Sequence, residues 1–404
     1  MSAFWKNYAG TAAMLAGVII GGLIGALWQD AARFVTPVGD IFINMLFVLV
    51  IPMVFFSISI AFCKLRSGGR IGRILGKTII VFVLIWLTFG VISYITMLVS
   101  NPVGDVASGG VPLGAQPGEV NNGGAIVEAL SVSDFPELFS KHHLLPLILF
   151  SALLGIGVAS AGEKGKRVAD MLDSWNEVIG KTMSLLMKAA PVGLGCYFAG
   201  VVANVGSQLL GGYLRVFVTY CILAAIIFFI VNPLLVYFAS GRQGVKSFWK
   251  NILPPSITAL ATASSSVAMP GNIEAARKCG VEESVAASIV PLATNLLKGG
   301  SILSAVTKIT FIMAFCGQAQ LGIGFMPQCI GLAILSALAV GAVANGGVTG
   351  ELLICTLLGL DPSMVGYIMI IGTIIDLPAT LVNSQTNVVG AILVDRLNSD
   401  QNSL

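Results

Sequence analysis

The sequence predicts an all-α polytopic membrane protein, and the observations behind this prediction are its composition, its long apolar segments and its sparse charges. Of its 404 residues, 56% are hydrophobic and 10% are charged, whereas soluble domains carry about 25% charged residues. The 22 basic and 19 acidic residues are too few to cover a solvated surface. The composition therefore excludes a water-soluble protein, and the net charge of +3 gives no reason to expect a nucleic acid partner.

Six apolar segments before residue 240 are long enough to cross the hydrocarbon core of a bilayer, which takes about 20 residues of helix. They lie near 8–28, 41–63, 78–100, 143–161, 184–206 and 213–239. The first segment is longer than the apolar region of a signal peptide and lacks a cleavage pattern, so we expect a retained helix.

The charges of the connecting loops predict the orientation. Basic residues crowd the loops at 64–77, 164–167 and 242–250, whereas the long loop at 101–140 is mostly acidic. Basic loops tend to stay in the cytoplasm. We therefore expect a multi-pass protein of a cytoplasmic (inner) membrane with both termini in the cytoplasm and the acidic loop outside.

The seven cysteines are scattered and contain no C-x-x-C pair. Such a set supports neither a disulfide framework nor a metal site. We expect no cofactor.

Residues 250–404 depart from the pattern of plain spans. The segment 253–270 is apolar but is interrupted by prolines and serines, and 342–351 is a second interrupted segment. Each precedes a longer apolar stretch, at 284–316 and 363–394. Irregular backbone at membrane depth is tolerated where it lines a cavity, so this order predicts two re-entrant hairpins around a site.

Asp376 lies near the middle of the last apolar stretch, where a carboxylate facing lipid would cost at least about 2.5–3.5 kcal/mol. Thr380, Asn383 and Asn387 follow at spacings of four, three and four residues, which places all four side chains on one helix face. Such a face could hold a small zwitterion, with the carboxylate pairing an ammonium group. The alternative is a polar stripe that joins this helix to its neighbours.

Lys298 lies near the middle of the 284–316 stretch, on the order of 20 Å from either end and beyond the reach of snorkelling. Gly299 and Gly300 follow it and indicate locally unwound backbone, whose carbonyl groups could surround the ammonium group.

Two interpretations of Lys298 stay open. It could be a charge that takes part in coupling, or the member of a structural ion pair with Asp376 or Glu351. Lys308 is about eight residues from the end of the same stretch, so we expect it to snorkel.

The run Ser264, Ser265 and Ser266 supplies hydroxyl and backbone N–H groups at the first predicted hairpin. These groups suit a carboxylate ligand, although small polar residues also permit close helix packing.

Together these residues make the chain resemble the dicarboxylate/amino acid:cation symporter family, which includes bacterial glutamate transporters and animal neutral amino acid transporters. The resemblance covers nearly the whole chain and rests on segments 36–40, 52–56, 162–166, 264–266, 291–292, 347–350 and 376–387. It implies a homotrimer with eight transmembrane helices and two re-entrant helical hairpins per protomer, working by an elevator mechanism.

The resemblance also implies a division of the chain and a set of site residues. Residues 1–240 hold six spans, of which 1, 2, 4 and 5 form a static scaffold; spans 3 and 6 join a mobile transport core at 250–404. The implied substrate site is Ser264, Ser265, Ser266, Ser301, Val348, Gly350, Asp376, Ala379, Thr380 and Asn383. The implied coupling or cation region is Asn295, Lys298, Gly299 and Asn387.

The sequence departs from the family pattern at substrate and cation positions. Members that carry acidic substrates have an arginine where this chain has Ala379 or Ala263, so we expect a neutral amino acid. Two sodium-site aspartates of the family become Lys298 and Asn387. A fixed positive charge opposes sodium, and our hypothesis is that Lys298 replaces it, giving exchange or proton coupling.

Other functions are also open. A sodium-coupled amino acid or dicarboxylate symporter of the same family is the main alternative. A channel is disfavoured because two hairpins would cover the site. An intramembrane enzyme with a Ser265–Lys298 dyad is disfavoured because no G-x-S-x-G motif surrounds the serine.

Overall fold

The computed structural model describes residues 3–65, 71–101, 131–140, 143–205, 208–316, 322–342, 347–360 and 364–399. Within these ranges the chain is helical with short connections and has no β-strand, so the predicted all-α class is confirmed. The described helices are α1 Ala3–Leu27, α2 Gln29–Leu65, α3 Ile71–Ser100, α4 Leu144–Ser160, α5 Gly162–Leu186, α6 Ala190–Val205, α7 Gln208–Ile226, α8 Asn232–Thr262, α9 Met269–Lys278, α10 Glu283–Leu296, α11 Gly299–Phe315, α12 Met326–Ala342, α13 Gly347–Leu357 and α14 Val365–Ser399.

Several helical stretches are long and apolar enough to cross a membrane. They are Gln29–Ile60, Gly76–Ser100, Gly162–Asn204, Leu210–Thr262, Glu283–Phe315 and Val365–Asn398. Shorter apolar helices lie at Ala12–Leu27, Pro146–Ser160 and Ile323–Leu338. The chain is a multi-pass membrane protein.

The N-terminal helices pack on one another through close backbone contacts. α1 and α2 both pack on α6, and α2 also packs on α4 and α5. Three glycines four residues apart on α1 face the backbone of α6, in the pairs Gly17 with Pro191, Gly21 with Gly195, and Gly25 with Ala199. Small residues at this spacing let two membrane helices approach closely.

α14 is the centre of a second group of helices. It packs against α3, α7, α8, α9, α10, α11 and α13. The polar residues of α14 between 380 and 387 are therefore buried among protein helices, not exposed to lipid.

Two backbone breaks shape the path of the chain around α14. Gly241 has φ 62° and ψ −164°, so α8 changes direction there, in a backbone region that favours glycine. Lys298 has φ 38° and separates α10 from α11. We expected unwound backbone at Gly299 and Gly300, but the break lies at Lys298 and both glycines belong to α11.

Two pairs of short helices lie beside α14. The first pair, residues 242–262 with α9, is joined by a turn in which Ala263 is left-handed, with φ 49°. The second pair is α12 with α13, and its connecting residues 343–346 lie outside the described part of the chain. α13 is enclosed by α2 and α4 as well as by α11, α12 and α14, whereas the first pair exposes Leu253, Ile257 and Val267.

The α1–α6 contact generates a stability prediction. In Gly21→Ala, the added methyl group would overlap the carbonyl oxygen of Gly195, and overpacking of this kind costs about 1–3 kcal/mol. We expect a lower midpoint of thermal unfolding in detergent. Gly211→Ala is the matched control, because a methyl group there meets no atom within 4 Å. Equal stability of the two variants would contradict the prediction.

Candidate functional site

Asp376 is exposed, although its neighbours Ile375, Ala379 and Thr380 on α14 are buried. Within the described ranges, its carboxylate accepts no hydrogen bond and has no basic group within 4.0 Å. Lys298 and Lys308 are nevertheless close enough to interact with it electrostatically. Asp376 is therefore an accessible carboxylate that can accept a cationic group from a ligand.

The break between α10 and α11 is held by hydrogen bonds from neighbouring helices. Trp86 on α3 donates its indole N–H to the carbonyl of Leu297 at 2.6 Å, and Tyr220 on α7 donates its hydroxyl to the carbonyl of Gly300 at 2.9 Å. The carbonyl of Lys298 itself accepts the backbone N–H of Ser301 at 2.9 Å. Among the described residues, the Lys298 ammonium group donates a hydrogen bond to none of these carbonyls, so they do not form the expected cage around it.

The Lys298 side chain is half-buried and forms no ion pair within 4.0 Å among the described residues. Asp376 lies within electrostatic range of it. Glu351, the other partner that the sequence offered, is paired with a different lysine. The structure therefore leaves the Lys298 ammonium group beside Asp376 without a contact that would fix it.

α11 begins directly against α14. A methyl group on Gly300 would overlap the carbonyl oxygen of Ala379, and one on Gly299 would lie 2.7 Å from the ring of Phe89. The Ser301 backbone N–H donates to the Asn383 side-chain oxygen at 3.2 Å, and the Asn383 amide nitrogen lies 3.5 Å from the Ser301 hydroxyl. The close approach at the two glycines thus brings Ser301 to the polar face of α14.

Asn387 occupies a point where backbone carbonyl groups of α10 and α14 converge. In the amide orientation that satisfies all its polar atoms, its nitrogen donates to the carbonyls of Ala293 at 3.0 Å and Asn383 at 3.1 Å. Its oxygen then accepts from the Thr294 hydroxyl at 3.0 Å. The Asn387 amide N–H groups are therefore hydrogen-bonded to two backbone carbonyl oxygens, and a carbonyl oxygen is also a type of ligand that binds metal cations.

The first helix pair contributes serines of different exposure. Ser265 is buried and Ser266 is exposed, while the half-buried Ser264 hydroxyl accepts the backbone N–H of Val267 at 3.3 Å. Ser265 and Ser266 thus differ in whether an entering ligand could contact their side chains directly.

Two polar contacts to α14 were missed by the sequence reasoning. Asn272 on α9 donates to the Ser384 hydroxyl at 3.0 Å, and Asn232 on α8 donates to the Gln385 side-chain oxygen at 2.6 Å. Ser384 and Gln385 stand inside the 376–387 motif but between the positions of the predicted ladder. An asparagine within an apolar segment was the signal for Asn232.

A buried ion pair joins α11 to α13. The Lys308 ammonium nitrogen lies 2.8 Å from a Glu351 carboxylate oxygen, and the two side chains are 9% and 3% exposed. The expectation that Lys308 snorkels is therefore wrong. Nearly every residue of α11 is buried, so its lysine has no path to the membrane surface and pairs internally.

The remaining predicted residues divide between the site and its surroundings. Thr380 and Ala379 are buried on α14, and the Gly350 carbonyl accepts from the Ser336 hydroxyl at 3.1 Å. Asn295 donates to the Pro291 carbonyl of its own helix at 3.1 Å and, within the described ranges, is not bonded to α14. Val348 lies in the first turn of α13.

The side chains that most often bind metal ions are dispersed. No group of three His, Cys, Asp or Glu residues that could hold a metal ion occurs in the part of the chain that the structure describes.

The chain crosses the membrane several times and has an accessible carboxylate beside polar side chains on α14. This combination is typical of membrane transporters. Residues 11–397 match the sodium:dicarboxylate symporter family, and the chain belongs to this family.

Curated relatives agree with this assignment. A C4-dicarboxylate transport protein of Bacillus subtilis (strain 168) is 24% identical over 320 residues, covering 77% of this chain and 75% of the relative. A proton/sodium-glutamate symport protein of Bacillus caldotenax is 25% identical over 400 residues, covering 96% and 94%. A C4-dicarboxylate transport protein of Rhizobium leguminosarum is 25% identical over 398 residues, covering 93% and 85%. The chain is thus a transporter of a small molecule in a lipid bilayer and not an enzyme.

The hydrogen bond between Tyr220 and Gly300 generates a second prediction. Tyr220→Phe leaves a buried carbonyl without its donor, which costs about 1–3 kcal/mol, so we expect a lower unfolding midpoint in detergent. Tyr237→Phe is the control, because the Tyr237 side chain is 46% exposed. A Tyr220→Phe protein as stable as the control would show that this bond does not hold the break.

Proposed function

We propose that the chain is a secondary active transporter that carries a small neutral amino acid across the cytoplasmic membrane without sodium. The observation that carries this proposal is the accessible carboxylate of Asp376 in the middle of an apolar helix, without an ion pair among the described residues. A carboxylate in this position forms a charge-assisted hydrogen bond with an ammonium group.

The groups around Asp376 fit the rest of an amino acid. Asn383 lies about two helical turns from Asp376 on α14 and is bonded to Ser301 of α11. Their amide and hydroxyl groups suit the carboxylate of the substrate. Ala263 and Ala379 offer no cation for a second carboxylate. An acidic side chain placed against these two positions would find no arginine there to pair with.

The arrangement at the cation positions supports independence from sodium. The Asn387 amide donates to the carbonyls of Ala293 and Asn383, so an amide group takes up hydrogen-bonding capacity of both oxygens. The positive charge of Lys298 interacts with Asp376 and opposes the binding of a sodium ion there by Coulomb repulsion. Transport then proceeds by exchange of substrates, or with a proton if Lys298 loses its own proton during the cycle.

A second candidate is a symporter for dicarboxylates or glutamate. The half-buried ammonium group of Lys298 could pair with a second carboxylate of the substrate, and the relatives are named for C4-dicarboxylate and glutamate transport. Against it, a dicarboxylate has no ammonium group for Asp376.

The packing supports an elevator mechanism with eight spans and two re-entrant hairpins. α1, α2 and α4–α6 pack on one another, while α3 and α7 pack on α11 and α14. This division agrees with a static scaffold formed by spans 1, 2, 4 and 5 of residues 1–240. The mobile core then consists of spans 3 and 6 together with residues 250–404. We propose that the two helix pairs are the hairpins, that the protein is a homotrimer, and that both termini are cytoplasmic.

Uptake into proteoliposomes tests the substrate and the coupling together. With choline in place of sodium, we expect uptake of a radiolabelled neutral amino acid to stay within about twofold, and Asp376→Asn to lower it by about tenfold or more because a charge-assisted bond worth about 1.5–3 kcal/mol is lost. Asp170→Asn, on the surface of α5, is the matched control.

The same assay contains the outcomes that contradict the proposal. Uptake that requires sodium would refute the coupling, and uptake of succinate or glutamate without neutral amino acids would favour the second candidate. Full activity of Asp376→Asn would refute the site.

The cation positions allow a gain-of-function prediction. Lys298→Asp together with Asn387→Asp removes a positive charge and adds two carboxylates, of which the one at position 387 lies near the Ala293 and Asn383 carbonyls. Because sodium prefers oxygen ligands that include carboxylates, we expect sodium to stabilise the double variant against thermal unfolding and to stimulate its uptake. The wild type and Asn387→Gln are controls and should not respond. A sodium response of the wild type as large as that of the double variant would contradict the prediction.

A further inference from the structure

The buried pair of Lys308 and Glu351 lies inside the transport core but has no role in the proposed site. Lys308 is on α11 and Glu351 is on α13, and their charged atoms are 2.8 Å apart. Both side chains are nine-tenths or more buried. Stability alone does not explain this pair, because a buried ion pair is often no more stabilising than apolar residues of the same size.

Gly372 shows where this pair lies relative to Asp376. A methyl group on Gly372 would overlap a carboxylate oxygen of Glu351 and would lie 3.0 Å from the ammonium nitrogen of Lys308. The pair is therefore packed against α14 at Gly372. Asp376 follows four residues later, which places it on the same helix face one turn away.

Asp376 is the second carboxylate within range of Lys308. Lys308 interacts electrostatically with Asp376, and Asp376 with Glu351. The lysine thus interacts with two carboxylates and forms its ion pair with one of them, while the other stays accessible. If Glu351 were uncharged, the buried ammonium group of Lys308 would turn to Asp376, since a buried charge without a partner is costly.

We propose that Glu351 is a positioning residue that holds Lys308 away from Asp376 and so keeps Asp376 available for the ammonium group of the substrate. This inference rests on the proposed function, in which Asp376 binds that group. The Lys308–Glu351 pair then determines substrate affinity without contacting the substrate.

The test compares single and double neutralisation by measuring KM and the maximal rate of amino acid uptake in proteoliposomes. Glu351→Gln should raise KM by about tenfold or more, because Lys308 now competes for Asp376. The double variant Lys308→Met with Glu351→Met removes the competitor as well and should return KM to within about threefold of the wild type. A purely structural pair would tolerate this double exchange as well, so Lys308→Met alone separates the two roles. Without the competing ammonium group it should leave KM within about threefold of the wild type, whereas a structural pair broken from either side should raise KM in both single variants.

Two further variants keep the test decisive. Gly372→Ala retains both charges but displaces the pair, so it should also raise KM, and it serves if Glu351→Gln does not fold. Glu177→Gln breaks an exposed ion pair with Lys181 on α5 and should leave KM unchanged.

The results separate this inference from the proposed function. An unchanged KM in Glu351→Gln or, where that variant does not fold, in Gly372→Ala would overturn the positioning role, as would a double variant no better than the single one. If Asp376→Asn alone abolishes uptake in that case, the proposed function stands without the positioning role. Full uptake by Asp376→Asn would overturn both.

Discussion

One constraint determines the arrangement of the core. Each ionised side chain inside a membrane protein must either form an ion pair or hydrogen bond or take part in function. Two lysines and two carboxylates, Lys298, Lys308, Glu351 and Asp376, form a charged cluster around Asp376, which interacts electrostatically with each of the other three. Lys308 and Glu351 satisfy each other at 2.8 Å. Asp376 is left accessible. The formal charges of these four side chains sum to zero, which agrees with the sodium-independent transport that we propose.

α14 provides the frame on which these charges are arranged. Its polar side chains bond to several neighbouring parts of the site: Asn383 to Ser301, Ser384 to Asn272, Gln385 to Asn232, and Asn387 to Ala293 and Thr294. Of the two interpretations of the polar face, helix association describes these contacts, and binding stays our proposal for Asp376. Its C-terminal half joins helices together, while the Asp376 carboxylate has no ion pair among the described residues.

The sequence was sufficient to predict the helical fold and the polar residues of α14, because both follow from local spacing and hydropathy. It was not sufficient to predict the partner of Lys308, since the distance to the end of a helix says nothing about which helices surround it. The donors that occupy the carbonyls around Lys298 come from Trp86 and Tyr220, which are distant in sequence. Contacts of this kind depend on how helices pack, and spacing along one segment does not contain that information.

Sodium-independent transport requires that amide and ammonium groups of the chain stand where a sodium ion would otherwise bind. Direct binding of radioactive sodium to the purified protein, measured with and without a neutral amino acid, tests this requirement without depending on a transport cycle. We expect no saturable sodium binding in either condition, together with saturable binding of the amino acid in sodium-free buffer. Saturable sodium binding that increases when the amino acid is added would show that the chain has kept a coupled cation site.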